Sequence, residues 1–366
     1  MKKIFIMIIM EVILFCTIIL LSIFSTDDIQ VKNLIIIIGD GMGKNQIEIT
    51  EKINNKKLSF TEWLRCDVNT DSIDDFGKYT TTDSAASATA LATGQQTING
   101  YVGKNNYGNN LETVMDVAKR AGKSTGIVTT DFIYGATPAS FSGHSKSRAD
   151  FETIVDSQIK SNVDLFCGNA NELCLSKKEN YEEYGYSFFD NFDLASESLE
   201  VDKAYWQFDL YGKDASIKLN EVAGMALEFL EDDEQGFVLM IEQSNIDTYG
   251  HANELDGIIQ CVNYLNQTVE TVMNWVGDRD DTVVVVTADH ETGGLLYGSE
   301  NEYELKTVTQ NNEMLSYAFT TPGHTSSYVN FYVYGIEPDF SKFKTFKDNS
   351  LIKNKDIGKY FKELVI

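Results

Sequence analysis

The chain is 366 residues long and 43% hydrophobic, with 55 acidic against 30 basic residues and a formal charge of −25. That length and apolar content suffice for a large buried core and exclude a disordered or fibrous chain. The acidic excess repels nucleic-acid phosphates, so nucleic acid is excluded as a partner, and an anionic substrate would need cations or a local Arg to hold it.

At the N-terminus, Lys2 and Lys3 precede an apolar run from Ile4 to Phe24 that is interrupted only by Glu11. A basic stretch followed by an apolar one reads as an export leader, so residues 1–29 are expected to be a signal peptide or a retained membrane anchor. Glu11 in the middle of a spanning helix would cost about 2.5–3.5 kcal/mol. Small residues suited to leader cleavage are limited to Ser22, Ser25 and Thr26, and both readings stay open. Either one places residues 30–366 outside the cytoplasm, as one catalytic domain with membrane anchoring through residues 4–24 if the leader is kept.

Past the leader, apolar runs alternate with helical patterns. Strands are predicted at Leu34–Ile38, Ser124–Thr129, Phe237–Ile241, Thr282–Thr287 and Val329–Val333, with amphipathic helices over Leu111–Ala121 and Ala215–Leu230. This alternation predicts an α/β fold with a large, mostly parallel central sheet, whose strand C-termini would share one crevice.

Chemistry-bearing residues sit where those runs end. Asp40, within Gly39-Asp40-Gly41-Met42-Gly43, is unsuited to a backbone phosphate cradle, because its carboxylate would repel the phosphate; it suits a cation. Ser84 opens the Ala-rich segment Thr82–Ala90. A serine there is most often only a cap, but a hydroxyl at a helix N-terminus is also placed to stabilise an alkoxide or a bound phosphate. Thr137, after Ala136, offers a hard oxygen, and Arg148 can clamp phosphate oxygens, although a lone Arg is commonly just solvated and His144 can be a core histidine. Glu242, Asp247 and His251 follow one apolar run, Asp289 and His290 end another, and His324 sits in Pro322-Gly323-His324-Thr325. Mixed oxygen and imidazole groups at successive strand ends point to a metal centre.

The four cysteines of the body, Cys66, Cys167, Cys174 and Cys261, lack metal-pair spacing and read as buried apolar residues. Cys167 and Cys174 are close enough in sequence for a loop disulfide, which spacing alone does not establish.

In this order, GDGMG, TDSAASATA, ATPA with its downstream His and Arg, E-x4-D-x3-H, TADHETGG and GHT resemble the alkaline phosphatase family from Leu34 to Gly335. The resemblance implies a three-layer α/β/α sandwich and hydrolysis of phosphate monoesters through a phosphoserine on Ser84. It implies one zinc ion on Asp247, His251 and His324, and a second on Asp289, His290 and Asp40. Magnesium would be shared by Asp40, Thr137 and Glu242, with Arg148 on the substrate phosphate; a homodimer is implied as well. Two zinc ions roughly 4 Å apart suit an in-line displacement.

The chain departs from the family pattern at Gly135, where many members carry Asp or His, and at Thr248, where Lys or His is common. Both changes bear on magnesium affinity and phosphate release. Between Gly294 and Pro322 the chain is compact where larger members carry an inserted surface domain. A phosphodiesterase or nucleotide pyrophosphatase of the same superfamily would usually carry Thr as nucleophile and lack the magnesium set. A surface metal- or phosphate-binding protein without catalysis is the reading from another class.

Overall fold

The computed structural model describes residues 31–298, 305–310, 313–336 and 351–366. The leader reading for residues 1–29 lies outside the described residues; within them, no helix is long and apolar enough to cross a membrane.

Ten strands form the central sheet: β1 (Asn33–Gly39), β2 (Leu64–Asn69), β3 (Ser124–Thr129), β4 (Leu165–Asn169), β5 (Ser187–Phe189), β6 (Ala204–Phe208), β7 (Phe237–Gln243), β8 (Thr282–Thr287), β9 (Val329–Tyr334) and β10 (Leu351–Lys353). Their spatial order is β10-β2-β9-β8-β1-β7-β3-β4-β6-β5. Among them β9 alone runs antiparallel to its neighbours β8 and β2. The predicted mostly parallel sheet is therefore observed, with all five predicted strands in it.

β1 lies at the middle because its sequence, Asn-Leu-Ile-Ile-Ile-Ile-Gly, is apolar on both faces. Leu34 to Ile38 have no solvent exposure, and burial of each such side chain is worth roughly 1.5–3 kcal/mol. Helices cover it in two groups. Lys44–Asn54, Leu219–Leu230 and Leu255–Val276 pack on one side, and Ser84–Thr93, Val114–Arg120, Ala136–Ser142 and Asn354–Leu364 on the other.

Helix starts differ from the predicted ones for local reasons. The Val114 helix begins three residues later than predicted because Thr113 and Asp116 form a reciprocal capping box. The Leu219 helix begins at a Lys218–Glu221 contact, four residues past Ala215. Between Gly294 and Pro322 a small antiparallel sheet joins Leu295–Tyr297, Lys306–Gln310 and Glu313–Phe319. Cys66, Cys167, Cys174 and Cys261 are all free and buried. Cys167 and Cys174 thus do not pair: each is buried as a small apolar residue, Cys167 in the middle of β4 and Cys174 on the helix that follows it.

The register brings the strand ends level. Ile38 aligns with both Glu242 and Thr287, and Thr129 aligns with Glu242. Asp40, Asp131, Glu242 and Asp289 consequently leave the sheet along one edge.

Candidate active site

Ser84 is the first residue of the Ser84–Thr93 helix and is 3% exposed. Asp83 caps this helix, accepting from Ala86 N at 2.9 Å through Oδ1. Its other oxygen accepts from Gly100 N at 3.0 Å and from Arg148 Nη1 at 3.2 Å. One carboxylate thus fixes both the Ser84 helix and the arginine. Ser84 Oγ lies 3.1 Å from His290 Nε2.

Asp247 and His251 share one face of the Asn245–Ala252 helix, four residues apart. His251 Nε2 is 3.3 Å from Asp247 Oδ2, His324 Nε2 is 3.5 Å from Asp247 Oδ1, and the two imidazole nitrogens are 3.2 Å apart. His324 reaches this point because its short strand pairs antiparallel with Glu291–Thr292. His290 Nε2 lies 3.2 Å from Asp289 Oδ2 and 3.5 Å from Asp40 Oδ1. The rings of His290 and His324 stack with centroids 3.6 Å apart, so the two groups of residues form one continuous cluster.

Each histidine is aimed by its other nitrogen. His251 Nδ1 is 2.5 Å from Pro322 O, and His324 Nδ1 is 3.0 Å from Thr82 O. A carbonyl only accepts, so both Nδ1 atoms carry hydrogen and both Nε2 atoms turn inward. Thr292 Oγ1 donates to Asp247 Oδ1 at 2.5 Å and, with that hydrogen committed, accepts from His290 Nδ1 at 3.2 Å. Outer hydrogen bonds of this kind set the orientation of metal-ligating imidazoles.

The charges of the cluster act strongly on one another. Burial, reinforced by Asp289, Asp247 and Glu242, pushes the Asp40 carboxyl well above its usual range. Burial and then Asp131 raise Glu242 to about 8. Asp247 behaves oppositely: burial would raise it, but hydrogen bonds from His251 and His324 hold it below the ordinary carboxylate range. The Asp247 hydrogen bond lifts His251 to about 9, and the same partner outweighs burial at His324. Burial lowers His290 against the opposing pull of Asp289. The carboxylates and imidazoles of the cluster thus oppose one another's charge.

The donor set fits metal ions. Ligand atoms of Asp247, His251 and His324 lie within 4.8 Å of one another, as do those of Asp40, Asp247 and His290. Asp40 Oδ1, Asp289 Oδ2 and Thr137 Oγ1 are buried without a hydrogen-bond partner, an arrangement costly unless something else satisfies them. Thr137 lies in the first turn of the Ala136–Ser142 helix, near enough to Glu242 to favour its charged form but outside hydrogen-bonding geometry. Gly41 makes the close approach feasible: its φ is +72°, and a Cβ there would meet Asp247 Cα at 2.7 Å.

Ten of the residues singled out in the sequence, Asp40, Ser84, Thr137, Arg148, Glu242, Asp247, His251, Asp289, His290 and His324, border this edge. His144 does not; its Nε2 bonds to Leu111 O at 2.9 Å, as a structural histidine would. Asp83, Asp131, Thr129 and Thr292 were not singled out. Asp83 abuts Ser84 in TDS, and Thr292 follows the Asp289-His290 pair, so adjacency was the available signal. Thr129 donates to Glu242 from the aligned neighbouring strand, a contact visible only in the register.

Fold and site together define an α/β protein with a carboxylate–imidazole cation centre beside a buried serine. The sequence profile described as alkaline phosphatase matches residues 31–164 and 150–360. This chain belongs to the alkaline phosphatase family. It is 32% identical to alkaline phosphatase 3 of Bacillus subtilis over 295 residues, covering 75% of this chain and 64% of that protein. It is 30% identical to alkaline phosphatase 4 of the same organism, covering 75% and 65%. The match thus spans just under two thirds of those relatives. Among solved structures, alkaline phosphatase from the Antarctic bacterium TAB5 superposes with a TM-score of 0.78 at 25% identity, covering 92% of this chain and 98% of that one.

Proposed function

We propose that this chain is an exported, metal-dependent alkaline phosphatase that hydrolyses phosphate monoesters through a phosphoserine on Ser84. The observation carrying this reading is the buried Ser84 Oγ, 3.1 Å from His290 Nε2, at a helix N-terminus beside unpartnered carboxylate oxygens. Its kinship with curated alkaline phosphatases supports the same chemistry.

In this reading Asp247, His251 and His324 hold one zinc ion, and Asp40, Asp289 and His290 hold the second. Asp40, Thr137 and Glu242 hold magnesium, whose preference for hard oxygen matches that set. When bound, the ions neutralise charge on the transferring phosphoryl group and lower the pKa of hydroxyl groups beside them.

The chain's own groups do the rest. Ser84 Oγ forms a bond to phosphorus as the ester P–O bond breaks and the alcohol departs. A water oxygen then bonds to phosphorus as the phosphoserine bond breaks, releasing phosphate. Arg148 keeps guanidinium N–H groups beyond the one given to Asp83 and presents them to the phosphate oxygens. The free N–H groups of the helix start favour the same negative charge. Export through residues 1–29, one catalytic domain over residues 30–366 and a homodimer complete the reading, on family resemblance.

The test is hydrolysis of p-nitrophenyl phosphate against bis(p-nitrophenyl) phosphate, with zinc and magnesium supplied or chelated, for the full chain and Ser84→Ala. Metal-dependent monoester turnover that collapses in Ser84→Ala supports the reading. Preference for the diester, or turnover that survives Ser84→Ala, overturns it.

A further inference from the structure

Gly135 closes the loop that enters the Ala136–Ser142 helix, and the space its side chain would take is filled. A Cβ on Gly135 would lie 2.2 Å from Asp131 Oδ2 and 2.9 Å from Asp131 Cγ, distances at which one of the two must move. The occupant is a carboxylate delivered from four residues upstream, just past the end of β3. It is held there firmly. Asp131 N donates to Thr129 Oγ1 at 2.9 Å, Phe132 N donates to Asp131 Oδ1 at 2.7 Å, and Asn169 N donates to Asp131 O at 2.7 Å. With Oδ1 engaged, Oδ2 accepts no hydrogen bond within the described residues.

Asp131 also stands beside the centre: Thr129 Oγ1, which receives its N–H, donates in turn to Glu242 Oε2 from the aligned strand. In keeping with that placement, Asp131 is the charge that most raises Glu242. Two independent features nearby call for a cation: Thr137 Oγ1, 1% exposed, and Asp40 Oδ1 are both buried without partners. Buried carboxylates leaving neighbouring strand ends repel one another unless positive charge lies between them.

We infer that Asp131 serves the cation site formed by Asp40, Thr137 and Glu242, with its Oδ2 accepting from water carried by the ion, and that residue 135 is glycine so that this carboxylate fits. Magnesium retains several waters when protein-bound, so a carboxylate one water away is placed to hold it. Asp131 is a positioning residue in this account: it touches neither substrate nor Ser84. The inference rests on the magnesium set of the proposed function.

The experiment is calorimetric titration of magnesium into the zinc-loaded full chain, comparing wild type, Asp131→Asn and the relocating double variant Asp131→Ala/Gly135→Asp, with zinc content and circular dichroism measured in each. The expected result is a 10–100-fold weaker magnesium affinity in Asp131→Asn, the range for loss of an outer partner, with zinc content unchanged and much of the affinity recovered in the double variant. Magnesium affinity in Asp131→Asn within twofold of wild type would overturn the inference while leaving the magnesium site standing. Absence of magnesium binding to wild type would overturn both, and Ser84-dependent turnover with zinc alone would then tell whether the phosphatase reading survives.

Discussion

Asp83 joins the Ser84 helix to Arg148: Oδ1 caps the helix at Ala86 N, and Oδ2 receives Arg148 Nη1 at 3.2 Å. The residue before the candidate nucleophile therefore sets where the candidate phosphate clamp stands. Asp83→Ala removes both contacts, and the lost cap alone should cost about 0.5–2 kcal/mol. Asp83→Asn keeps an oxygen for the cap but turns its amide NH2 towards the Gly100 and Arg148 donors, losing those two contacts and one negative charge beside the phosphate position. We expect both variants to lower the melting temperature, Asp83→Ala the more, and Asp83→Asn to tighten inhibition by inorganic phosphate. Thermal melts and phosphate inhibition constants check both; weaker inhibition in Asp83→Asn would show that holding Arg148 outweighs the removed charge.

Thr292 bridges Asp247 and His290 through one hydroxyl. Thr292→Val keeps the shape and breaks both bonds, so the carboxylate and the imidazole lose their fixed orientation. Zinc affinity should fall 10–100-fold with the fold preserved, as read by competition with a chromogenic chelator. Unchanged zinc affinity would mean that packing alone orients these groups.

Metal removal should have a pH-dependent penalty of known sign. Glu242 titrates at about 8 in the folded chain without metal, against an ordinary glutamate value near 4.3 when unfolded. A raised carboxyl pKa contributes stability that is complete below the unfolded value and is lost as pH rises through the folded one. The chelated protein should therefore lose stability from about pH 4.5 to about 8, whereas the metal-loaded protein should not. The melting-temperature gap between the two should widen across that window and narrow in Glu242→Gln. A gap independent of pH would contradict this account.

Glu51 gives the opposite slope, far from the centre. Burial raises its pKa, but Lys57, Thr61 and the Leu58 N–H outweigh burial and hold it below the usual range. The donors stand at 2.6, 2.6 and 3.1 Å. A depressed carboxyl pKa contributes stability above the unfolded value that is lost as pH falls through the folded one. Glu51→Gln should melt below wild type at pH 7, and the two should converge towards pH 3.

What was readable in the sequence divides along physical lines. β1, β7 and β8 are runs of β-branched and other apolar residues buried on both faces, a pattern that announces a central strand. β2, with Arg65 and Asp67 in it, mixes charge with apolar residues on a partly exposed strand, and β5 and β10 span three residues each; none has a run long enough to be seen. Neither is the reversed direction of β9 encoded in its composition, since it depends on how the chain returns. At the site, the residues that end apolar runs were legible because the sheet forces them to one edge. Asp131, Thr129 and Thr292 were not, because their partners become neighbours only in the folded register, and Gly135 read as a missing group because the carboxylate in its place comes from four residues upstream.

The turn at Pro322-Gly323-His324 carries a consequence of its own. It contributes His324 directly, and through the Pro322 carbonyl it fixes the tilt of His251 on a separate helix. One short piece of backbone thus steers two imidazoles that approach Asp247 from different directions. The same turn is tied through His324 Nδ1 to the Thr82 carbonyl, two residues ahead of Ser84. A shift of that turn would therefore be felt at both imidazoles and at the segment entering the Ser84 helix at once.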